Sequence, residues 1–178
     1  MNLLLLTPQD CPQANIAHLT GRRLQHVLEV HQAKIGQKLR VGMVNGLMGE
    51  AEITHLDKQL LQLDFVLNES PPAKLPLTLL LALPRPKMLK RILQTVATMG
   101  VQRLVLMNSY RVEKSFWDSP FLQPDAIQEQ LILGLEQGKD TILPEIILEK
   151  RFKPFVEDRL ASLAGDSLKL VAHPMAQQ

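Results

Sequence analysis

In the stretch "LALPRPKMLKRILQTVATMGVQRLVLMNS", residues 81–109, four cations crowd the start of an amphipathic pattern: Arg85, Lys87, Lys90 and Arg91. Positive charge is unfavourable at a helix N-terminus, where the exposed N–H groups already carry partial positive charge. Two explanations stand. One is a solvated basic face; the other is an anionic partner, above all phosphate, that offsets the repulsion. The conflict with the dipole favours the second. A further group, "NSYRVEKSFWDSP", follows the next apolar run and contains Arg111 and Lys114, able to hold phosphate, beside Tyr110, Phe116 and Trp117. Those rings could stack on bases or form a small core beneath a loop.

Positioning these groups requires a helix and a strand on either side of each loop. Leu89, Ile92, Leu93, Val96 and Ala97 follow a helical stripe, and Gly100 is suited to its end. Strand candidates at Leu77 to Leu83, Leu104 to Met107, Ile142 to Leu148 and Leu168 to Ala172 alternate with helices near Met88 to Met99, Asp125 to Gln137 and Pro154 to Leu163. Such alternation predicts a parallel sheet with helical crossovers, and sheets of that kind bind ligands beyond the carboxyl ends of their strands.

The first part has a different rhythm. "KLRVGMVNGLMGEAEITHLDKQLLQLDFVLN", residues 38–68, alternates short apolar runs with turns and predicts a β-meander. "LLLL" near the N-terminus predicts a buried strand, and "AHLTGRRLQHVLEV" predicts a helix with Leu24, Val27 and Leu28 on one face. Together they suggest a small barrel, separated from the second part by the linker-like "NESPPAKLP".

Composition narrows the chemistry. The 178-residue chain has a net charge of +2, so only local clustering could mark a nucleic-acid binder. One cysteine, Cys11, excludes an internal disulfide and a cysteine-based zinc site built from a single chain, and fits a reducing compartment. No grouping has metal-ligand spacing, and no run is long enough for a membrane span. The cytoplasm is the expected location, without metal or membrane.

Three stretches, "KMLKRILQTVATMGVQRLVLMNSYRVEKS", "LEQGKDTILPEI" and "LKLVAHP", occur in an order and spacing that resembles the 16S ribosomal RNA uridine-N3 methyltransferases of the SPOUT superfamily. The resemblance is plain over residues 79–147 and looser over the rest. It implies an α+β two-domain protein: a PUA-like β-barrel over 1–70 that holds RNA, then an α/β trefoil-knot domain over 74–178 that binds S-adenosylmethionine and dimerises. The implied reaction is methylation of a uridine N3 in 16S rRNA of the 30S subunit, with RNA rather than DNA as partner.

The same resemblance places Arg111 on the arginine of the family's "S-E-R" element, Tyr110 on its acid, and Lys139 on the arginine after "E-Q-x-G". Arg111 is the expected stabiliser of negative charge on the uracil oxygens and Lys139 the second candidate; binding of a phosphate or carboxylate by Arg111 remains the alternative. Arg22, Arg23, Arg85, Lys87, Lys90, Arg91 and Lys114 are the expected RNA contacts, although Glu29 replaces the family's arginine near the first two. His173 and Pro174 fall at the edge of the implied cofactor pocket. The family's "G-P-E-G-G" and its final knot motif do not occur in the chain. The implied knot is therefore incomplete, and the expectation is a chain that by itself neither binds S-adenosylmethionine tightly nor methylates RNA. A noncatalytic RNA-binding or dimerisation protein of the same ancestry is the alternative.

Overall fold

The computed structural model describes residues 2–29 and 32–172. Its first half is a five-stranded sheet made of β1 (Leu4–Leu6), β2 (Ile16–Leu19), β3 (Lys38–Met43), β4 (Met48–Leu56) and β5 (Leu61–Glu69), in the order β1-β3-β4-β5-β2. The meander β3-β4-β5 is antiparallel, whereas β1 joins β3 in parallel, pairing Leu4 with Val41 and Leu6 with Met43. Period-two alternation sends Leu63, Leu61, Ile53, Ala51 and Val41 to one side, and the sheet curls around them. Helix α1 (Gly21–Glu29) adds Leu24 and Val27 to that core.

The second half contains β6 (Leu75–Ala82), α2 (Pro86–Thr98), β7 (Val101–Met107), α3 (Pro124–Gly138) and β8 (Glu145–Glu149). The three strands form a parallel sheet with β7 in the middle. Strand β6 starts inside the stretch expected as a linker, and β8 starts later than expected. Asp140 and Thr141 are engaged elsewhere, and Pro144 has no N–H to give to a ladder. Beyond β8, short helical turns α4 (Phe152–Pro154) and α5 (Leu160–Ala164) flank a π-helical stretch, Phe155–Arg159, and seat Phe155 in the interior.

The strand expected at Leu168 to Ala172 does not form. They join no strand among the described residues, and Leu168 and Val171 are 84% and 88% exposed. An apolar run becomes a strand only where a sheet edge accepts its N–H and C=O groups; the run following α5 meets none among the described residues.

Helices α2 and α3 lie side by side because Gly134 and Gly138 leave no side chain between them. A Cβ on Gly134 would press into the Gln94 carbonyl oxygen and lie 2.7 Å from the Ala97 Cβ, and one on Gly138 would lie 2.7 Å from the Thr98 carbonyl oxygen. Thr98 Oγ1 donates to the Gly134 carbonyl at 3.0 Å, and Gln94 Nε2 donates to Gln130 Oε1 at 2.7 Å.

The end of α3 and the turn after it hold the two halves together. The amides of Asn2 and Leu3 both donate to the Glu136 carbonyl, at 2.9 and 3.1 Å. The Glu136 carboxylate, almost fully buried, receives both terminal nitrogens of Arg22, at 2.9 and 3.0 Å. Thr141 Oγ1 donates to the Gly46 carbonyl at 2.5 Å, and the Asn45 amide donates to the Thr141 carbonyl at 2.8 Å, locking the β3–β4 turn. Lys74 reaches buried Asp140 at 2.6 Å. Within the first half, Arg23 pairs with Asp10 at 2.6 and 2.7 Å and donates to the Leu5 carbonyl at 2.8 Å.

These contacts give three expectations for stability. Gly134→Ala should lower the unfolding free energy by about 1–3 kcal/mol in urea titration, because the helices must separate to admit a methyl group. Arg22→Ala should cost about 1–3 kcal/mol, because a buried carboxylate loses its bidentate partner; an unchanged urea midpoint would show that the pair contributes nothing. The third concerns Asp10. Burial works to raise its pKa but is outweighed by hydrogen bonds from Arg23 and Thr7, so it lies below its ordinary 3.8. A carboxylate depressed in the folded state stabilises the fold above its unfolded pKa and loses that contribution as pH falls toward the folded pKa. The wild type should therefore lose stability below about pH 4 more steeply than Asp10→Asn, measured by urea midpoints across the acid range.

Candidate nucleic-acid interface

Register brings three strand ends into one row. The Leu83 amide donates to the Met107 carbonyl and the Asn108 amide to the Glu149 carbonyl, both at 2.9 Å, so β6, β7 and β8 finish side by side. The residues that leave this edge are Pro84 and Arg85 after β6, Ser109, Tyr110 and Arg111 after β7, and Lys150 and Arg151 after β8.

The α2 terminus stands beside this row. Arg85 is its N-cap residue and Pro86 occupies the first turn, where a missing N–H costs no helical bond. No side chain caps the terminus and no acid lies in its first turn. Lys87 and Arg91 are exposed, whereas Lys90 places its ammonium 4.0 Å from the centre of the Phe121 ring. The uncompensated positive terminus read from the sequence is thus present in the fold.

Loop 108–123 is built on its aromatic residues. Phe116, Trp117 and Phe121 pack against the α/β core, Trp117 Nε1 donates to Asn108 Oδ1 at 3.3 Å, and Lys150 lies 5.9 Å from the Trp117 ring centre. Phe116 and Trp117 therefore take the packing role rather than the open stacking role; of the four aromatic rings in the loop only Tyr110 is fully exposed. Arg111 and Lys114 are exposed on the same loop.

Arg22, Arg23 and Lys139 separate from this edge. Arg22 and Arg23 are bound to Glu136 and Asp10 in the interface and the first half, which occupies the guanidinium groups that the sequence alone offered to RNA. Lys139 is the C-terminal cap of α3 in the left-handed conformation, φ 55° and ψ 46°. It precedes β8, whereas Arg111 follows β7, so the two lie at opposite ends of the parallel sheet and do not meet within one chain. The segment "LEQGKDT" serves here as an anchor between halves. His173 and Pro174 lie outside the described residues. Lys150 and Arg151 were missed by sequence reasoning; the signal was the basic run "EKRFK" immediately after an apolar strand.

A cavity of about 720 Å³ lies on the curled sheet beside Glu50, Glu52, Asp64 and Phe65, and one of about 330 Å³ lies between the halves beside Arg22, Arg23 and Glu129. Neither touches the strand ends, and no glycine-rich loop follows β6, β7 or β8 there. Among the described residues no group of His, Cys, Asp and Glu gathers as a metal site, and no helix is long and apolar enough to cross a membrane.

Relatives share this architecture. The chain is 28% identical over 169 residues to the ribosomal RNA small subunit methyltransferase E of Treponema pallidum, covering 94% of this chain and 63% of that protein. It is 30% identical over 158 residues to ribosomal RNA small subunit methyltransferase E 1 of Borreliella burgdorferi, covering 86% of this chain and 63% of that protein. The chain thus spans 63% of the length of these curated relatives. Its fold is similar to a putative methyltransferase of Legionella pneumophila solved with bound SAM, at TM-score 0.64 and 19% identity, over 99% of this chain and 72% of that one. It is also similar to the ribosomal RNA small subunit methyltransferase E of Neisseria gonorrhoeae bound to S-adenosyl methionine, at TM-score 0.63 and 18% identity, over 83% of this chain and 62% of that one. The model of the RNA methyltransferase domain matches residues 71–178, the part that carries the parallel sheet and its basic edge, and the chain belongs to that family.

Proposed function

We propose that the whole protein is an S-adenosylmethionine-dependent methyltransferase acting on a uridine N3 in 16S rRNA, in the cytoplasm and as a homodimer. In this reading residues 1–70 are a PUA-like barrel that helps hold the RNA, and 74–178 belong to a SPOUT-type knotted domain. The observation that carries it is the match of residues 71–178 to the RNA methyltransferase domain, whose sheet ends in the basic edge just described. Arg85, Lys87, Lys90, Arg91 and Lys114 hold phosphates. The positive charge of the first four at the α2 terminus then meets an anion instead of water alone.

The cofactor supplies an electrophilic methyl group. The protein's own task is to orient the uracil and favour loss of the N3 proton. A guanidinium near the uracil oxygens stabilises the charge that develops there, and Arg111 is the residue proposed for it. Lys139, at the far end of the same sheet, could serve that reaction only from a second copy, which is one reason to propose the dimer.

The test uses the whole protein with methyl-labelled S-adenosylmethionine and unmodified 30S subunits. Label should appear at a uridine N3 of 16S rRNA, and Arg111→Ala should reduce kcat by about 10²–10³-fold. Label at another position, or none with the wild type under conditions where it binds the subunit, would overturn the reading. For binding, Arg85→Ala/Lys87→Ala/Arg91→Ala should lower the slope of log affinity against log salt on single-stranded RNA by about 2, from about 0.7 per phosphate contact.

A further inference from the structure

Most of the described cations either face a carboxylate or gather at one edge of the parallel sheet. Arg22, Arg23, Lys38, Arg40, Lys74, Arg103, Lys153 and Arg159 each face a carboxylate within ion-pair distance. Of the cations outside those pairs, all except Lys34, Lys58, Lys139 and Lys169 belong to the edge where β6, β7 and β8 end or to the helix and loop that leave it. The opposite end of the sheet provides the contrast: there Arg103 is paired with Glu145 at 2.5 Å.

We infer that Lys150, Arg151 and Tyr110 complete a track for single-stranded RNA along this edge, with phosphates on the two cations and one base on the Tyr110 ring. The inference rests on the RNA reading of the same edge and adds the third strand end and the conformation of the ligand. Lys150 is next to Asn108 by register, because the Asn108 amide is bonded to the Glu149 carbonyl. Its ammonium is held over one side of the Trp117 ring while Lys90 is held over Phe121, so the aromatic wall of loop 108–123 has a positioned cation from β8 and another from α2. Glu149, the acid beside Lys150, is nearly buried and committed to Arg159. Neither Lys150 nor Arg151 is neutralised by a described residue.

Tyr110 decides between strand types. It projects from the turn after β7 with its whole surface in water, at 101% relative exposure. A free ring face can take an unstacked base, whereas the bases of a duplex are already stacked on each other. A row of cations with one open aromatic ring therefore fits a single strand.

The experiment measures anisotropy of a labelled single-stranded RNA oligomer with the full chain across a salt series, without methyl donor. Lys150→Gln/Arg151→Gln should lower the log–log slope by about 1.4, at about 0.7 per contact. Lys34→Gln/Lys58→Gln, which removes the same charge elsewhere, should leave the slope unchanged, and Lys150→Arg/Arg151→Lys should retain it. Tyr110→Ala should weaken binding about tenfold at every salt concentration without altering the slope, while Tyr110→Phe binds normally. Equal slope losses in the two glutamine pairs would reduce the effect to net charge and overturn the track. So would an unchanged slope in Lys150→Gln/Arg151→Gln, or tighter binding to duplex RNA or anionic lipid vesicles than to the single strand. If the track variants behave as stated but no methyl transfer occurs, the methyltransferase reading fails and the track stands; if methylation occurs and these variants bind normally, the reverse holds.

Discussion

The double burial of the first strand governs the arrangement of the molecule. Leu4 and Leu6 point into the curled sheet, and Leu3 and Leu5 point the other way into the α/β core. One short run thereby contributes to both hydrophobic clusters. The hydrophobic effect has no direction, so it is the bonding of Asn2 and Leu3 amides to the Glu136 carbonyl that fixes the strand against α3. The β3–β4 turn then closes on Thr141, and the position of the second half relative to the first is determined by paired backbone groups rather than by apolar area alone.

Charge follows the same division of labour. Cations in the interface or on the first sheet face carboxylates, and buried acids such as Glu136 and Asp140 have cationic partners. At the carboxyl edge of the parallel sheet the cations meet aromatic rings or water instead. Aromatic faces can orient an ammonium without neutralising it, leaving its charge available to an external anion. The placement of Lys90 and Lys150 is therefore compatible with both ordered side chains and a charged surface.

Much of the architecture was legible because it depends on local periodicity. The meander, the α2 stripe and the buried character of "LLLL" all follow from the spacing of apolar residues. What spacing does not carry is the identity of a distant partner. Arg22 and Arg85 are the same residue type in similarly basic stretches; only the fold brings Glu136 to the first and no acid to the start of the helix holding the second. Leu168 to Ala172 has strand-like composition but meets no sheet edge among the described residues. Phe116 and Trp117 looked equally suited to stacking or packing, and the proximity of the α/β core selected packing. Lys150 and Arg151 became visible as part of the basic edge only through the register of β8 with β7.

The close contact of α2 and α3 at Gly134 and Gly138 also has a mechanical meaning. With backbone meeting backbone there is no flexible side-chain layer to absorb sliding, and Thr98 donates to Gly134 and Gln94 to Gln130 across the seam. The helix pair is a stiff beam whose one end bears the Arg85 cap and whose other end is tied through Glu136 to Arg22 and the N-terminal strand. A load applied to the first turn of α2 is thus borne by the curled sheet as well as by the helix itself.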